Sequence, residues 1–353
     1  MKSKTNNNRR GFLKSIAAAA AMVTASVASP SFAIAEEMPE VNWRMQALWD
    51  AGTTPYEYEK KFVERVAELT DGKFQIRLFA GGQLAPSAQA FEAVRGGAFQ
   101  MMKTFDGYEA GSIPAFAFTS TIPFGFPEPD QYEAWFYEKG GLELAREAYA
   151  KAGLFYIAPT VYGQEPIHAK FPLNSLDDLE GKKGRFVGLA STVMAEFGVA
   201  TTGLPTAEVY QALEKGVIDL ADRGDLTANL EAGLGEVAGY VIVPGFHQPT
   251  TATSYVANQG AYDQLPDSYK AALEVAAREV SSSLRQHILA QDAVALKKFK
   301  EQGVEVIQLD DSIIAEGRPT AMKAWEKAAG EDELANQILE SQIAFMKDLG
   351  LMD

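Results

Sequence analysis

The segment VNWRMQALWDAGTTPYEYEKKFVERVAELTDGKFQIRLFA, residues 41–80, sets the fold class by its periodicities. Residues 41–48 read as a strand. Phe62, Val66 and Leu69 then fall at helical spacing, and Gly72 supplies a stop. Residues 73–80, KFQIRLFA, alternate between two faces as a second strand. AQAFEAVRGG (88–97) follows as a helix closed by glycine, and AFQMMKTF (98–105) as a third strand. A strand–helix rhythm of this kind builds a mostly parallel sheet flanked by helices, an α/β fold.

Downstream, FAFTSTIPFGFPEPDQY (116–132) carries three prolines and reads as a loop bordering a cleft or hinge. A helix over 130–152 and a strand over 154–163 come next. Short strands follow around Arg185, in VIDLAD (217–222) and in GYVIVPG (239–245). TTATSYVANQGAYDQL (250–265) reads as a strand returning to the first sheet. A long helix over 267–303 and a short strand in VEVIQL (304–309) precede further helices. The pattern predicts lobe 1 over 36–160 plus 252–290, lobe 2 over 161–251, and C-terminal helices over 291–353 packing on both. Two crossings between lobes imply a hinge around a cleft, with the long helix backing both.

Residues 1–35 are set apart. Arg9 and Arg10 precede a short apolar core and the small-x-small triplet Ala33–Ile34–Ala35, the pattern of a Tat-like export signal. Removing its five basic residues from 32 leaves 27 against 47 acidic side chains, a net charge of −20. Such a chain does not attract nucleic acid or anionic lipid. There is no cysteine, so an exported product relies on its core and not on disulfides. No later stretch reaches the ~18 apolar residues of a membrane span, which predicts a periplasmic protein without direct membrane insertion.

Against that acidity one residue stands out. In KKGRFVGLAS (182–191), Arg185 opens a short half-buried strand between Gly184 and Phe186. A buried guanidinium needs an anion. Either an internal acid supplies it, as a structural salt bridge, or a ligand does. The expectation is a guanidinium with no resident counter-ion. Tyr108, in DGYEAG (106–111), follows the third strand at its carboxyl end, where α/β sheets bind ligands.

Three segments, in order, carry a family resemblance: LTDGKFQIRLFAGGQL (69–84), SLDDLEGKKGRFVG (175–188) and VYQALEKGVIDLAD (209–222). Together they resemble the solute-binding proteins of TRAP (tripartite ATP-independent periplasmic) transporters, in particular the branch that binds 2-oxo or 2-hydroxy monocarboxylates with a metal ion. The resemblance implies a two-lobe periplasmic-binding-protein fold with hinge strands. It also implies capture of a small carboxylate of the pyruvate type by lobe closure, and delivery to membrane permease subunits. Arg185 is then the residue that grips the carboxylate through two parallel N–H···O bonds. Gln164, in VYGQEP, takes the place of a metal-binding glutamine 21 positions earlier, and Asp222 that of an acidic ligand with the Arg223 carbonyl beside it. Gln248, in VPGFHQP, stands where a glutamate is expected, and His168 where an aromatic residue is common. Gln164 and His168 are also expected to touch substrate, with Phe246 as a wall.

This implied set offers only oxygen donors, which suit hard cations such as Ca²⁺ or Na⁺. The bland reading is that Asp222 caps a loop and the glutamines bond backbone. Enzyme readings find little support. Histidines stand dispersed at 168, 247 and 287, and no nucleophile elbow or dinucleotide loop is present. The alternatives kept open are a binding protein for an aromatic, branched or sulfonate anion, and a secreted enzyme or receptor-linked sensor subunit. The long late helices also offer a surface for a homodimer.

Overall fold

The computed structural model describes residues 38–204 and 206–352; the export-signal reading of 1–35 lies outside them. The first half builds β1 (Val41–Gln46), α1 (Thr54–Leu69), β2 (Phe74–Phe79), α2 (Ala90–Arg95) and β3 (Met101–Thr104). It continues through α3 (Ala117–Ser120), α4 (Pro129–Glu138), α5 (Gly141–Lys151) and β4 (Leu154–Tyr162). The helix expected over 130–152 breaks at Gly140, whose φ of 82° is left-handed.

A second set follows: β5 (Ile167–Ala169), β6 (Lys183–Arg185), α6 (Gly188–Glu196), β7 (Ala200–Thr202), α7 (Val209–Glu214), β8 (Leu220–Ala221), α8 (Leu226–Glu231) and β9 (Tyr240–Val243). The chain then runs through β10 (Thr251–Asn258), α9 (Gln259–Asp263), α10 (Asp267–Glu301), β11 (Glu305–Gln308), α11 (Asp311–Ala329) and α12 (Glu333–Asp348).

Two sheets result. The first runs β2-β1-β3-β10-β4, with β1 parallel to β2 and β3, and β10 antiparallel to β3 and β4. The return of β10 is therefore as read from sequence. The second runs β11-β9-β5-β8-β6-β7, and its edge strand β11 makes a third passage between sheets where two were expected. At about 1.5 Å per residue, α10 spans roughly 50 Å. Its first part packs Leu273, Ala277 and Leu284 on the first sheet, and its last turns press Ala295 and Phe299 against Val241 and Val243 of the second. The long helix thus backs both sheets, as expected. No helix among the described residues is long and apolar enough to cross a membrane.

The stretch 116–132, read as a loop bordering a cleft or hinge, does border the β9–β10 crossing but carries α3 and the start of α4 and is packed into the core. Phe116, Phe118, Phe124 and Phe126 are fully buried in the main apolar cluster. Thr121 Oγ1 donates to the Thr250 carbonyl and Phe124 N to the Phe246 carbonyl, tying the stretch to the β9–β10 connection. Four aromatic side chains bury more apolar area than the prolines cost in backbone bonds.

Candidate ligand-binding site

Strands from both sheets deliver their carboxyl ends to one place, as α/β folds do for ligands. β6 ends on Arg185, β8 runs into Asp222 and Arg223, β4 runs into Gln164 and Glu165, and β9 leads to Gln248. They surround a cavity of about 30 Å³ lined by Tyr108, Glu165, Arg185, Arg223 and Gln248, with Trp49, Phe105 and Thr253 on the side of the first sheet. Backbone packing fixes the crossing. Gly245 lies so close to Glu165 that a Cβ would fall on the Glu165 carbonyl. Its N–H donates to Gln164 Oε1 at 2.6 Å.

Arg185 is 3% exposed and Asp222 fully buried. Arg185 Nη1 donates to Asp222 Oδ1 at 2.6 Å and to the Asp222 carbonyl at 3.3 Å, while Nε donates to the Leu204 carbonyl at 3.0 Å. The expectation of a guanidinium without a resident counter-ion is therefore overturned. The reason is register: β6 and β8 are parallel neighbours with Arg185 opposite Ala221, so the next residue lies beside the guanidinium. Arg185 nevertheless lines the cavity, with Asp222 buried behind it, and Nη2 is not engaged by these three bonds. Burial pushes the Asp222 carboxyl up, but Arg185 and His247 outweigh it and hold it below its usual range.

Gln248 bridges two acids. Its Nε2 donates to Asp222 Oδ2 and to Glu165 Oε2, each at 3.0 Å, and its buried Oε1 has no hydrogen-bond partner. Glu165 Oε1 accepts from the Tyr162 hydroxyl at 3.0 Å. Burial, and then the nearby Asp222 charge, push the Glu165 carboxyl up to about 8. Glu165 and the Arg223 side chain went unread in the sequence. The signal available was an acid between two polar residues and a proline at the exit of an apolar strand. Burial and Arg185 together lower Arg223, whose Nη1 donates to the Ala228 carbonyl at 3.1 Å. The Arg185 and Arg223 guanidiniums thus meet one acid held ionised, Asp222, and one whose burial favours the neutral form, Glu165.

The remaining candidates separate. Tyr108 lines the cavity while 48% exposed, with Phe105 edge-on at 5.4 Å. Gln164 is near the crossing, but its Oε1 is taken by Gly245 N. His168 is not among the cavity-lining residues. It pairs with Ala221 and Val241 across the sheet, fully buried, with its ring 5.2 Å from Phe299. Both its nitrogens lack partners, and burial, then Arg223, push its pKa down to about 3. Phe246 belongs to the core against Phe124 at 5.1 Å, away from the cavity wall. His247 approaches Asp222 Oδ2 at 3.5 Å.

The oxygens that could hold a cation here are those of Glu165 and the unpartnered Gln248 Oε1, with the Asp222 carboxylate, already bonded to Arg185 and Gln248, behind them. Such a set fits Ca²⁺ or Na⁺. Among the described residues no group of three or more His, Cys, Asp or Glu side chains stands ready to hold a metal, so ligand oxygens would have to complete the shell.

A two-lobe α/β protein with a charged cavity at the strand ends has a layout that solute receptors share with many enzymes. The pattern of the bacterial extracellular solute-binding protein family 7 (DctP) matches residues 45–332, and this chain belongs to that family. It is a TRAP transporter solute-binding protein and not an enzyme; the family works with TRAP permease components. A relative from Nostoc sp., named a monocarboxylate 2-oxoacid-binding periplasmic protein, is 30% identical over 88% of this chain and 86% of its own. A Bordetella bronchiseptica TRAP solute-binding protein, described as a mixed-occupancy dimer with copurified calcium and picolinate, superposes with a TM-score of 0.82. It is 29% identical and covers 88% of this chain and 93% of its own. A Colwellia psychrerythraea TRAP protein with bound calcium and pyruvate gives 0.81 at 26% identity, covering 88% and 95%.

Proposed function

We propose that this chain captures a small 2-oxo monocarboxylate, pyruvate or a near homologue, in the periplasm and presents it to its permease. The observation that supports this reading most is a cavity of about 30 Å³ lined by Arg185, Arg223, Glu165 and Gln248, with the fully buried Asp222 bonded to Arg185 and Gln248 behind it. That volume is about two water-sized spheres, which favours a compact ligand. The Arg185 and Arg223 guanidiniums receive the carboxylate, with Tyr108 donating its hydroxyl. Glu165 and the Gln248 amide oxygen face the 2-oxo side, with Asp222, Gln164 and the Arg223 carbonyl near.

Those same oxygens would hold a Ca²⁺ or Na⁺ ion. Bound there, a cation supplies positive charge that stabilises both the buried acids and the ligand's oxygens. Glu165 must lose its proton to take part, so protons compete with the ion. The two sheets act as lobes, roughly 36–160 with 252–290 and 161–251, and ligand held between them favours the closed arrangement.

A thermal-shift screen of ligand-stripped protein against small carboxylates tests this. Pyruvate with Ca²⁺ or Na⁺ should raise the melting midpoint more than the acid or the ion alone. A shift given only by aromatic, branched or sulfonate anions would contradict it.

A further inference from the structure

A second, smaller cavity lies behind the first. It measures about 10 Å³, room for one water-sized group, and shares Trp49, Tyr162 and Thr253 with the ligand cavity as common walls. Its other walls are largely apolar, from Tyr58, Tyr255 and the α10 residues Val280, Leu284 and Ile288. Three ionisable side chains line it, Glu59 from α1, Lys103 from β3 and Asp225 before α8; Asp225 Oδ1 already accepts from Ala228 N at 2.8 Å, which leaves Glu59 and Lys103 as the pair for an occupant.

Neither has a function in the cluster around Arg185, and both are buried, at 2% and 5% exposed. Lys103 Nζ donates to Thr160 Oγ1 at 2.5 Å and to the Thr253 carbonyl at 3.3 Å, and sits 3.5 Å over the Tyr255 ring. Neither buried Glu59 carboxyl oxygen completes a hydrogen bond of good geometry, although the Leu48 backbone N–H comes near enough to favour the carboxylate, and no ion pair joins Glu59 to Lys103. A buried carboxyl so poorly satisfied is costly and calls for an occupant. Burial pushes Glu59 up to about 8 and Lys103 down to about 7. Near neutral pH the occupant therefore faces either a carboxyl that donates or a carboxylate that accepts. A hydroxyl, which gives and takes one bond, satisfies both states, whereas a carboxylate satisfies only the protonated one and a methyl neither.

We propose that this cavity is the distal end of the ligand site and takes a hydroxyl group on the tail of the bound 2-oxo acid, held between Glu59 and Lys103. The inference rests on the 2-oxo acid reading above and narrows it to hydroxylated members of that class. Tyr162 and Thr253 tie the two ends together: the Tyr162 hydroxyl donates to Glu165 on one side, and the Thr253 carbonyl accepts from Lys103 on the other.

The test is a calorimetric comparison of two matched pairs on ligand-stripped full-length mature protein with Ca²⁺ present. The pairs are 2-oxobutyrate against 4-hydroxy-2-oxobutyrate, and 2-oxovalerate against 5-hydroxy-2-oxovalerate. In at least one pair the hydroxylated acid should bind about tenfold more tightly, because a site built for a hydroxyl discriminates against its absence. The preference should collapse toward one in Glu59→Leu and in the double variant Glu59→Leu/Lys103→Met, which removes both charges together and so protects the fold. A preference of threefold or less in the parent protein for both pairs overturns the inference. So does a preference that survives in the double variant, or a complex whose small cavity keeps an ordered water that neither hydroxylated acid displaces. If the unhydroxylated acids fail to bind as well, it is the 2-oxo acid reading itself that falls.

Discussion

Replacing Asp222 by asparagine isolates the cost of leaving Arg185 unpaired. The side chain keeps its size, so packing of the fully buried position is preserved, but the charge that balances a guanidinium only 3% exposed is gone. The 2.6 Å bond from Arg185 Nη1 becomes a bond to a neutral acceptor, and the Gln248 Nε2 donor at 3.0 Å from Oδ2 meets an amide that can satisfy only one of its neighbours. Removing one partner of a buried pair costs roughly 3–5 kcal/mol. Access of water through the small cavity pulls the expected value to about 3 kcal/mol, or roughly 6 °C in melting midpoint for a chain of this size. Differential scanning calorimetry of stripped protein at pH 7 reads it directly. The double replacement Arg185→Met/Asp222→Leu should recover most of the loss, since no charge is then stranded. A midpoint within about 2 °C of the parent for Asp222→Asn would show that Arg185 does not depend on Asp222, and would refute the argument.

Further predictions follow from the same geometry. His168 is held neutral in the fold with a pKa near 3, against about 6.5 unfolded. The unfolded chain therefore binds the extra proton between those values, and the stability this His provides is full above pH 6.5 and lost as pH falls toward 3, about 2 kcal/mol at pH 5. His168→Phe should flatten the acid limb of the stability profile; profiles that stay parallel from pH 7.5 to 5 would count against it. Gly245→Ala forces a methyl onto the Glu165 carbonyl and should destabilise by about 2 kcal/mol or more, read by chemical denaturation, with an unchanged midpoint as the contrary result. Chelation should weaken pyruvate binding in the parent protein but have little further effect in Gln248→Leu, which removes the unpartnered oxygen; equal sensitivity in both would take Gln248 out of the cation site.

Local patterns in the sequence were enough for the strand–helix rhythm, the return of β10 and the long helix, because periodicity and helix stops act within a few residues. The glycine-flanked stretch around Arg185 likewise singled it out, and Arg185 does lie at the cavity. What local pattern could not provide was strand order. Arg185 and Asp222 stand 37 positions apart and meet only because β6 and β8 pair, a fact set by the whole sheet. His168 shows the complementary failure: it sits on a central strand between β8 and β9, and its ring packs on Phe299 and not in the cavity. Alternation along a three-residue strand is too brief to say which face is which. Glu59 and Lys103 were hidden for a similar reason, since charges in an amphipathic helix or an alternating strand read as solvent-facing until tertiary packing covers them.

The central claim is that the Arg185 guanidinium, although paired with Asp222, grips a ligand carboxylate. Titration calorimetry of pyruvate into ligand-stripped parent protein and Arg185→Lys, side by side with Ca²⁺ present, tests this most directly. Lysine retains the charge but not the planar fork, so affinity should fall by about 30-fold or more, equivalent to roughly 2 kcal/mol, with the melting midpoint of the free protein nearly kept. Equal affinities for the two proteins would contradict the account.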